Sequence, residues 1–152
     1  MDQIDINILR ALQDNGRLTN VELAEKVSLS PSPCLRRVKR LEKDEVLTSY
    51  RAQIDRAKIG LSMTVFVDIS LDTNKHRASD EFEQAIITID NVISAHLVSG
   101  QADYRIEVVV PNLKAYEQVL KIIQTLPMVN NINSNFAIRS LKTGGRLPLV
   151  SA

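Results

Sequence analysis

Thr19-Asn20-Val21-Glu22-Leu23-Ala24-Glu25-Lys26-Val27-Ser28-Leu29-Ser30-Pro31-Ser32-Pro33-Cys34-Leu35-Arg36-Arg37-Val38-Lys39-Arg40-Leu41 carries two helix starts in quick succession. The first is Thr19-Asn20-Val21-Glu22, with the S/T-x-x-E spacing of a capping box: the hydroxyl meets the N3 amide while Glu22 reaches back to the cap amide. Val21, Leu23, Ala24 and Val27 supply a short buried face. Ser28-Leu29-Ser30-Pro31 then restarts the pattern, with Ser30 as N-cap and Pro31 at N1. Pro33 is still in the first turn, where a missing N–H costs little. The second helix runs to about Lys43, with Leu35, Val38 and Leu41 facing inward. Upstream, Ile4, Ile8, Leu9 and Leu12 form a stripe between Asp2 and Asn15, and Gly16 is placed for a left-handed C′ residue. A supporting helix followed by two short helices and a tight turn predicts a helix-turn-helix.

That geometry gives the basic residues a role. With Leu35, Val38 and Leu41 buried, Ser32, Arg36, Lys39 and Arg40 share the opposite face, and Arg37 lies at its side. Such a helix can enter the major groove, where Arg meets guanine O6 and N7 through two hydrogen bonds. A basic run alone reads as a solvated face. The capped turn and the supporting helix favour DNA instead, with Thr19, Asn20 and Ser30 as further candidate contacts. Val46 to Ile54 suits a short hairpin, a wing on which Arg51 would meet phosphate.

Periodicity and charge both change after Gly60. The part before it carries 11 Lys and Arg against 9 Asp and Glu, and the remainder 8 against 9. The division is therefore a DNA-binding domain over 1–54, a linker over 55–61 and a second domain over 62–152. In that domain Met63, Val65, Val67, Ile69 and Leu71 alternate along a strand. A helix over Ser79 to Asp90, strands over Val92 to Ser99 and Tyr104 to Val110, a helix carrying Leu113 to Leu126, and a strand over Val129 to Leu141 follow. The order βαββαβ predicts a ferredoxin-like sheet with helices on one face, so the chain as a whole is α+β. The other sheet face is expected to be apolar and uncovered, which favours a homodimer.

Composition excludes several classes. Of the 152 residues, 44% are apolar and 24% charged, which suits a folded chain. The net charge of +1 provides no global pull toward nucleic acid, so DNA binding has to come from the local patch. No segment is long and apolar enough for a membrane, and the start has no signal-peptide pattern. Without Trp, and with six aromatic residues in all, the chain has no broad base-stacking platform. The single Cys34 excludes an internal disulfide and fits a cytoplasmic protein. Two histidines leave little for a zinc site, and no metal or other cofactor is expected. No nucleophilic triad, HExxH, P-loop or GxGxxG pattern points to an enzyme.

Together these residues resemble the leucine-responsive and asparagine-regulator (Lrp/AsnC, or feast/famine) family of transcription factors. The resemblance spans nearly the whole chain. It is carried by Asp5-Ile6-Asn7-Ile8-Leu9, by Asn15 to Ala24, by Leu29 to Glu42, by His96-Leu97-Val98-Ser99-Gly100-Gln101-Ala102-Asp103-Tyr104 and by Gly145-Arg146-Leu147-Pro148-Leu149. It implies a winged helix-turn-helix, an amino-acid-sensing domain, and dimers that assemble into octamers or related rings. Double-stranded DNA and an amino acid, leucine or another apolar one first, are the implied ligands. The family's wing pattern, Glu-x-x-Gly-Val-Ile-x-Gly-Tyr, has Glu45 and Ser49 here in place of its glycines. Losing both removes easy access to positive φ, so a different turn is expected.

The resemblance also implies an effector pocket. Gly100, Gln101, Ala102, Asp103 and Tyr104 would form one side, with Met128 and Ser134 on the other. Successive amides in a glycine turn can hold a carboxylate, and Asp103 can take an ammonium group. The turn alone reads first as a hairpin loop capped by Asp103, and it is the resemblance that favours a pocket. Cys34 is expected to be a packing residue rather than a redox sensor, His96 a packed or surface-paired imidazole rather than a pH switch, and His76 a solvated side chain. Three other functions compete. Sirohaem decarboxylases share the architecture, but would need more basic and histidine residues in the second domain. An RNA-recognition fold would need aromatic residues that Tyr104 to Val110 lacks. An effector-independent chromatin organiser would bind DNA with little sequence discrimination.

Overall fold

A computed structural model of the chain describes residues 1–72, 76–126 and 128–149, with the backbone alone for 76–78. The expectation for the His76 side chain therefore lies outside the described residues. The chain forms two compact units, Met1–Gln53 with Lys142–Ala152, and Ile54–Leu141.

In the first unit, helix α1 (Gln3–Asp14) begins where two carboxylates cap one another. The Asp5 amide donates to Asp2 at 2.9 Å and the Asp2 amide donates to Asp5 at 3.0 Å. Gly16 is not left-handed. Asn15 leaves the helix in an extended conformation, and its side-chain oxygen accepts the Arg17 amide at 3.0 Å, so the turn needs no positive φ. Helix α2 (Asn20–Lys26) has the expected Thr19–Glu22 capping box. Helix α3 is Pro31–Lys43. Between them Ser28 takes φ 56°, a left-handed turn normally left to glycine.

The core of this unit gathers Ile8, Leu9, Leu12, Leu23, Ala24, Val27, Cys34, Val38 and Leu41. Two residues expected inside are outside: Val21 is 53% exposed and Leu35 is 42% exposed. Cys34, fully buried, takes the place of Leu35, so the inward stripe of α3 runs Cys34, Val38, Leu41 at i, i+4, i+7. Burial pushes the Cys34 thiol above its ordinary pKa, as packing rather than reactivity requires.

The hairpin expected over Val46 to Ile54 is absent: no strand occupies that segment. The amides of Val46 and Leu47 both donate to the Leu41 carbonyl at 3.0 Å, and the Tyr50 hydroxyl donates to Glu42 at 3.0 Å. The segment is thus held to the end of α3, not to a partner strand. The left-handed turn survives without its glycine, since Glu45 takes φ 54°.

The C-terminal tail belongs to this unit, not to the second domain to which the sequence assigned it. Leu149 packs on the helical core, and the Arg10 guanidinium donates to its carbonyl at 2.9 Å. The Leu147 amide donates to Gln13 at 2.6 Å, and Arg146 pairs with Asp14 at 2.8 Å. The ending Gly145 to Leu149 therefore helps complete the helical unit.

The second unit contains β1 (Met63–Leu71), α4 (His76–Ile86), β2 (Val92–Leu97), β3 (Tyr104–Val110), α5 (Leu113–Thr125) and β4 (Val129–Phe136). The sheet order is β2-β3-β1-β4 with every pairing antiparallel, the ferredoxin-like arrangement. Residues 55–61 are more than a linker: they form a single 3₁₀ turn, Ala57–Ile59, closed by Gly60 at φ 82°, and Arg56 pairs with Glu107 at 2.8 Å. Helix α4 ends at Ile86, short of the expected Asp90, as bonds three residues apart replace helical ones at Thr88 and Ile89. Strand β4 ends at Phe136, short of the expected Leu141, and the Ala137 amide makes the last bond to β1, at the Thr64 carbonyl.

Val65, Val67, Ile69, Tyr104, Ile106 and Val108 point to the helices and meet Phe82, Ile86, Tyr116, Val119 and Ile123. Each such buried aliphatic or aromatic side chain contributes about 1.5–3 kcal/mol. The opposite face corrects an expectation: it is mostly polar. Asp68 lies opposite Arg105 on β3 and Asn133 on β4, Phe66 opposite Glu107 and Asn135, and Ser70 opposite Asn131. The alternation Asn131, Asn133, Asn135 puts an amide on this face at every second residue of β4.

Candidate functional site

The solvent side of α3 carries Ser32, Arg36, Lys39 and Lys43, spaced i, i+4, i+7 and i+11 and directed away from Cys34, Val38 and Leu41. All four are exposed. Among the described residues, Arg36, Lys39 and Lys43 have no ion-pair partner. The result is a row of uncompensated cations on a rigid helix. Leu35 stands beside it as an exposed apolar group.

Arg37 and Arg40, placed by the sequence with the free cations, are engaged differently. Arg37 pairs with Asp2 at 2.7 Å and Asp5 at 2.9 Å, and Arg40 pairs with Asp5 at 2.6 Å. Asp5 is only 1% exposed, the one charged residue among the buried groups described. The Asp5 amide, and then the Arg37 guanidinium, hold the Asp2 carboxyl below its ordinary range. Arg37 is held above its own ordinary value by Asp2 and then Asp5. These bonds tie α1 to α3.

The remaining candidates on this unit divide in the same way. Thr19 is committed to its cap, donating to Glu22 at 2.8 Å and accepting the Glu22 amide at 3.3 Å. Asn20 donates to the Pro31 carbonyl at 2.8 Å and joins the first turns of α2 and α3. Ser30 occupies the N-cap position but makes no capping bond, so its hydroxyl is available at the start of α3. Arg51 is exposed on the strand-free segment.

On the second unit an open cleft of about 720 Å³ lies against the polar sheet face. Its lining includes Asp68, Ser70, Leu97, Ser99, Gln101, Ala102, Arg105, Asn131 and Asn133. Arg105 holds Asp68 through two bonds at 2.7 and 3.0 Å, and Asn135 adds a third donor at 3.3 Å. The Arg105 bond keeps the Asp68 carboxyl below its ordinary value. Leu97 supplies exposed apolar surface at the rim.

Of the expected effector residues, Gln101 and Ala102 line this cleft. Gly100 takes φ 131° and shapes the turn without lining it. Asp103 fastens the turn to β1: its carboxylate accepts the Leu71 amide at 2.8 Å and its own amide donates to the Ile69 carbonyl at 3.0 Å. It caps β1, not its own loop. Tyr104 is not a pocket wall. It is buried against Phe82, with ring centroids 4.8 Å apart, and its hydroxyl donates to Glu83 at 2.8 Å. Burial, and then Glu83, raise its phenol pKa. Ser134 pairs in register with the core residue Val67 and hydrogen-bonds Tyr116, so it faces the helices. Met128 takes φ 70°, and its carbonyl accepts the Asp72 amide at 2.9 Å away from the cleft lining.

Residues 1–48 match the family described as winged helix-turn-helix DNA-binding, and residues 64–147 match the Lrp/AsnC ligand binding domain. The chain belongs to the Lrp/AsnC family. It is a DNA-binding transcriptional regulator with a ligand-binding domain. The leucine-responsive regulatory protein of Klebsiella pneumoniae is 37% identical over 97% of this chain and 90% of its own length. A transcriptional regulator of Neisseria meningitidis, solved in complex with L-Met, is 35% identical over 97% of this chain and 96% of its own, with a TM-score of 0.92. An AsnC family regulator of Agrobacterium tumefaciens is 33% identical over 97% of both chains, with a TM-score of 0.93.

Within this Lrp/AsnC chain, sequence reasoning missed Lys43, Asp68, Arg105, Asn131 and Asn133. Lys43 was legible, because it continues the Ser32–Arg36–Lys39 spacing by one helical turn. Asn131 and Asn133 were legible from parity, since they alternate with Ile132 and Ser134 on the helix-facing side; Val129 shares the parity of the two asparagines and faces the helices only because the register shifts between Ser70 and Leu71. Asp68 facing Arg105 depends on strand register, which no local pattern reveals.

Proposed function

We propose that the regulator reads duplex DNA with the outer row of α3 and takes a small apolar amino acid, leucine or a relative of it, in the cleft beside Ser99 to Ala102. The DNA reading rests on one observation: Arg36, Lys39 and Lys43 are exposed, and unpaired among the described residues, opposite the buried stripe of their helix. Arg36 is suited to a guanine edge, Ser32 and Lys39 to bases or phosphates, and Ser30 and Arg51 to the flanking backbone. Sequence-specific recognition follows from presenting two such helices to half-sites about 34–36 Å apart or multiples of that distance.

The effector reading is supported by the neisserial relative with L-Met and by what the cleft offers. Its two charged groups, Asp68 and Arg105, are paired with each other and would have to exchange that pairing for a zwitterion, while Leu97 offers surface to an apolar side chain. A homodimer, assembling further into an octamer or similar ring, is the proposed working form. The sheet face has no covering layer within its own unit, and exposed Phe66 lies amid paired polar groups that a second copy can meet. Cytoplasmic DNA is the proposed site of action. The amino acid changes operator occupancy only if it binds two assembly states with different affinity.

A thermal-shift screen against the twenty amino acids tests the effector. At 100 times its dissociation constant a ligand raises stability by about 2.7 kcal/mol. A selective shift, followed by altered DNA titrations with that amino acid, is the expected result. No shift with any of them contradicts the effector reading and favours an effector-independent organiser of DNA.

A further inference from the structure

Asp5 makes contacts beyond those of its capping box. A side chain 1% exposed, on α1, receives two of the five basic residues of α3. With Asp2 the cluster holds two carboxylates and two guanidinium groups, so its net charge is zero. Arg37 keeps 25% of its side chain exposed and Arg40 52%, so both remain close to solvent and would be free to swing toward a phosphate if the carboxylate were removed. Arginine is long, permanently charged and well matched to phosphate, which makes it an effective non-specific DNA ligand.

We propose that Asp5 is a specificity-determining positioning residue that withholds Arg37 and Arg40 from the DNA backbone while fixing the angle of α3. This rests on the reading that the outer row of α3 meets DNA. Non-specific affinity grows with each phosphate neutralised, whereas discrimination comes from base edges. A carboxylate that neutralises the inner arginines therefore lowers the background binding against which Arg36 and Lys39 discriminate. Both inner arginines contact the same buried group, so one side chain sets the balance.

The test compares the full-length chain with Asp5→Asn, which keeps the shape and loses the charge. Binding is measured as a function of salt on a mixed-sequence duplex and on a duplex selected by the wild-type chain from a random library. The expected result is a steeper salt dependence on mixed sequence, by up to about 1.8 in the log–log slope for two further phosphates. The preference for the selected duplex falls at the same time. An Asp5→Asn variant that binds more weakly to both, with unchanged slope and preference, reduces Asp5 to a structural tie and overturns the proposal. Arg37→Gln guards against a fold that does not survive the first change. A withheld arginine leaves the slope unaltered, and a slope shallower by about 0.9 means that Arg37 already touches phosphate and refutes the proposal. Arg36→Ala separates the two readings: if it too leaves binding unaltered, the DNA face itself is misplaced.

Discussion

The outer row of α3 and the outer face of the sheet are both rich in charged and polar groups, yet they handle charge in opposite ways. On α3, Arg36, Lys39 and Lys43 have no counter-charge among the described residues. On the sheet, Arg105 is held by Asp68 and Arg56 by Glu107. A surface made for a polyanion leaves its cations uncompensated, because the ligand brings the opposite charge and releases its own counterions. A surface made for a zwitterion or for another copy of the chain has to be neutral before the ligand arrives, or it would attract the wrong partners. Asp5, on α1, divides the paired from the unpaired cations of α3.

The sharpest way to break this contrast is at Asp5 itself. Asp5→Ala removes the charge-assisted bonds to Arg37 and Arg40 and half of the α1 capping box, and the expected loss is about 2–3 kcal/mol of stability for the helical unit, read by chemical denaturation. A loss below about 0.5 kcal/mol would mean that the cluster is merely a surface ion pair. Arg36→Ala is expected to cost about 2 kcal/mol of binding to a selected duplex, with the melting temperature unmoved. Equal affinity would remove Arg36 from the readout face. Glu45→Gly relieves a left-handed residue and is expected to stabilise the helical unit by about 1 kcal/mol, a gain visible in the same denaturation curves. A loss of stability would show that Glu45 makes a contact worth more than its backbone strain.

The smallest expected effect lies on the sheet. The folded-state pKa of Asp68 is depressed, chiefly by Arg105, from its ordinary 3.8. Its contribution to stability is therefore full above that value and is lost as pH falls through the lower folded value. Asp68→Asn should flatten the acid side of the stability curve of this unit while leaving the neutral plateau within about 1 kcal/mol, since Arg105 is exposed. An unchanged acid side would show that the pair contributes nothing to the fold.

Local rules carried the fold a long way. Capping boxes, an i, i+4 stripe and strict strand alternation are short-range patterns, and α1, α2, α3, β1 and β3 follow from them. What escaped was set by distant contacts. Leu35 and Cys34 are neighbours, and only packing against α1 and α2 decides which of them turns inward. The wing segment has strand-like residues, but its first two amides, of Val46 and Leu47, are taken by the end of α3. The tail looks like a polar extension until Leu149 meets the helical core. At the cleft the turn at Gly100 was legible, whereas Ser134 fell on the wrong side through a single step of strand parity, and Asp103 found its partner on β1, far away in the chain.

The account stands or falls on whether the uncompensated row of α3 is what neutralises DNA phosphate. The most direct measurement is the salt dependence of duplex binding by the double variant Arg36→Ala with Lys39→Ala, set beside the wild-type chain. If both cations neutralise phosphates, the log–log slope becomes shallower by about 1.8, with the oligomeric state and melting temperature unchanged. A slope identical to that of the wild-type chain would contradict the assignment of DNA binding to this face.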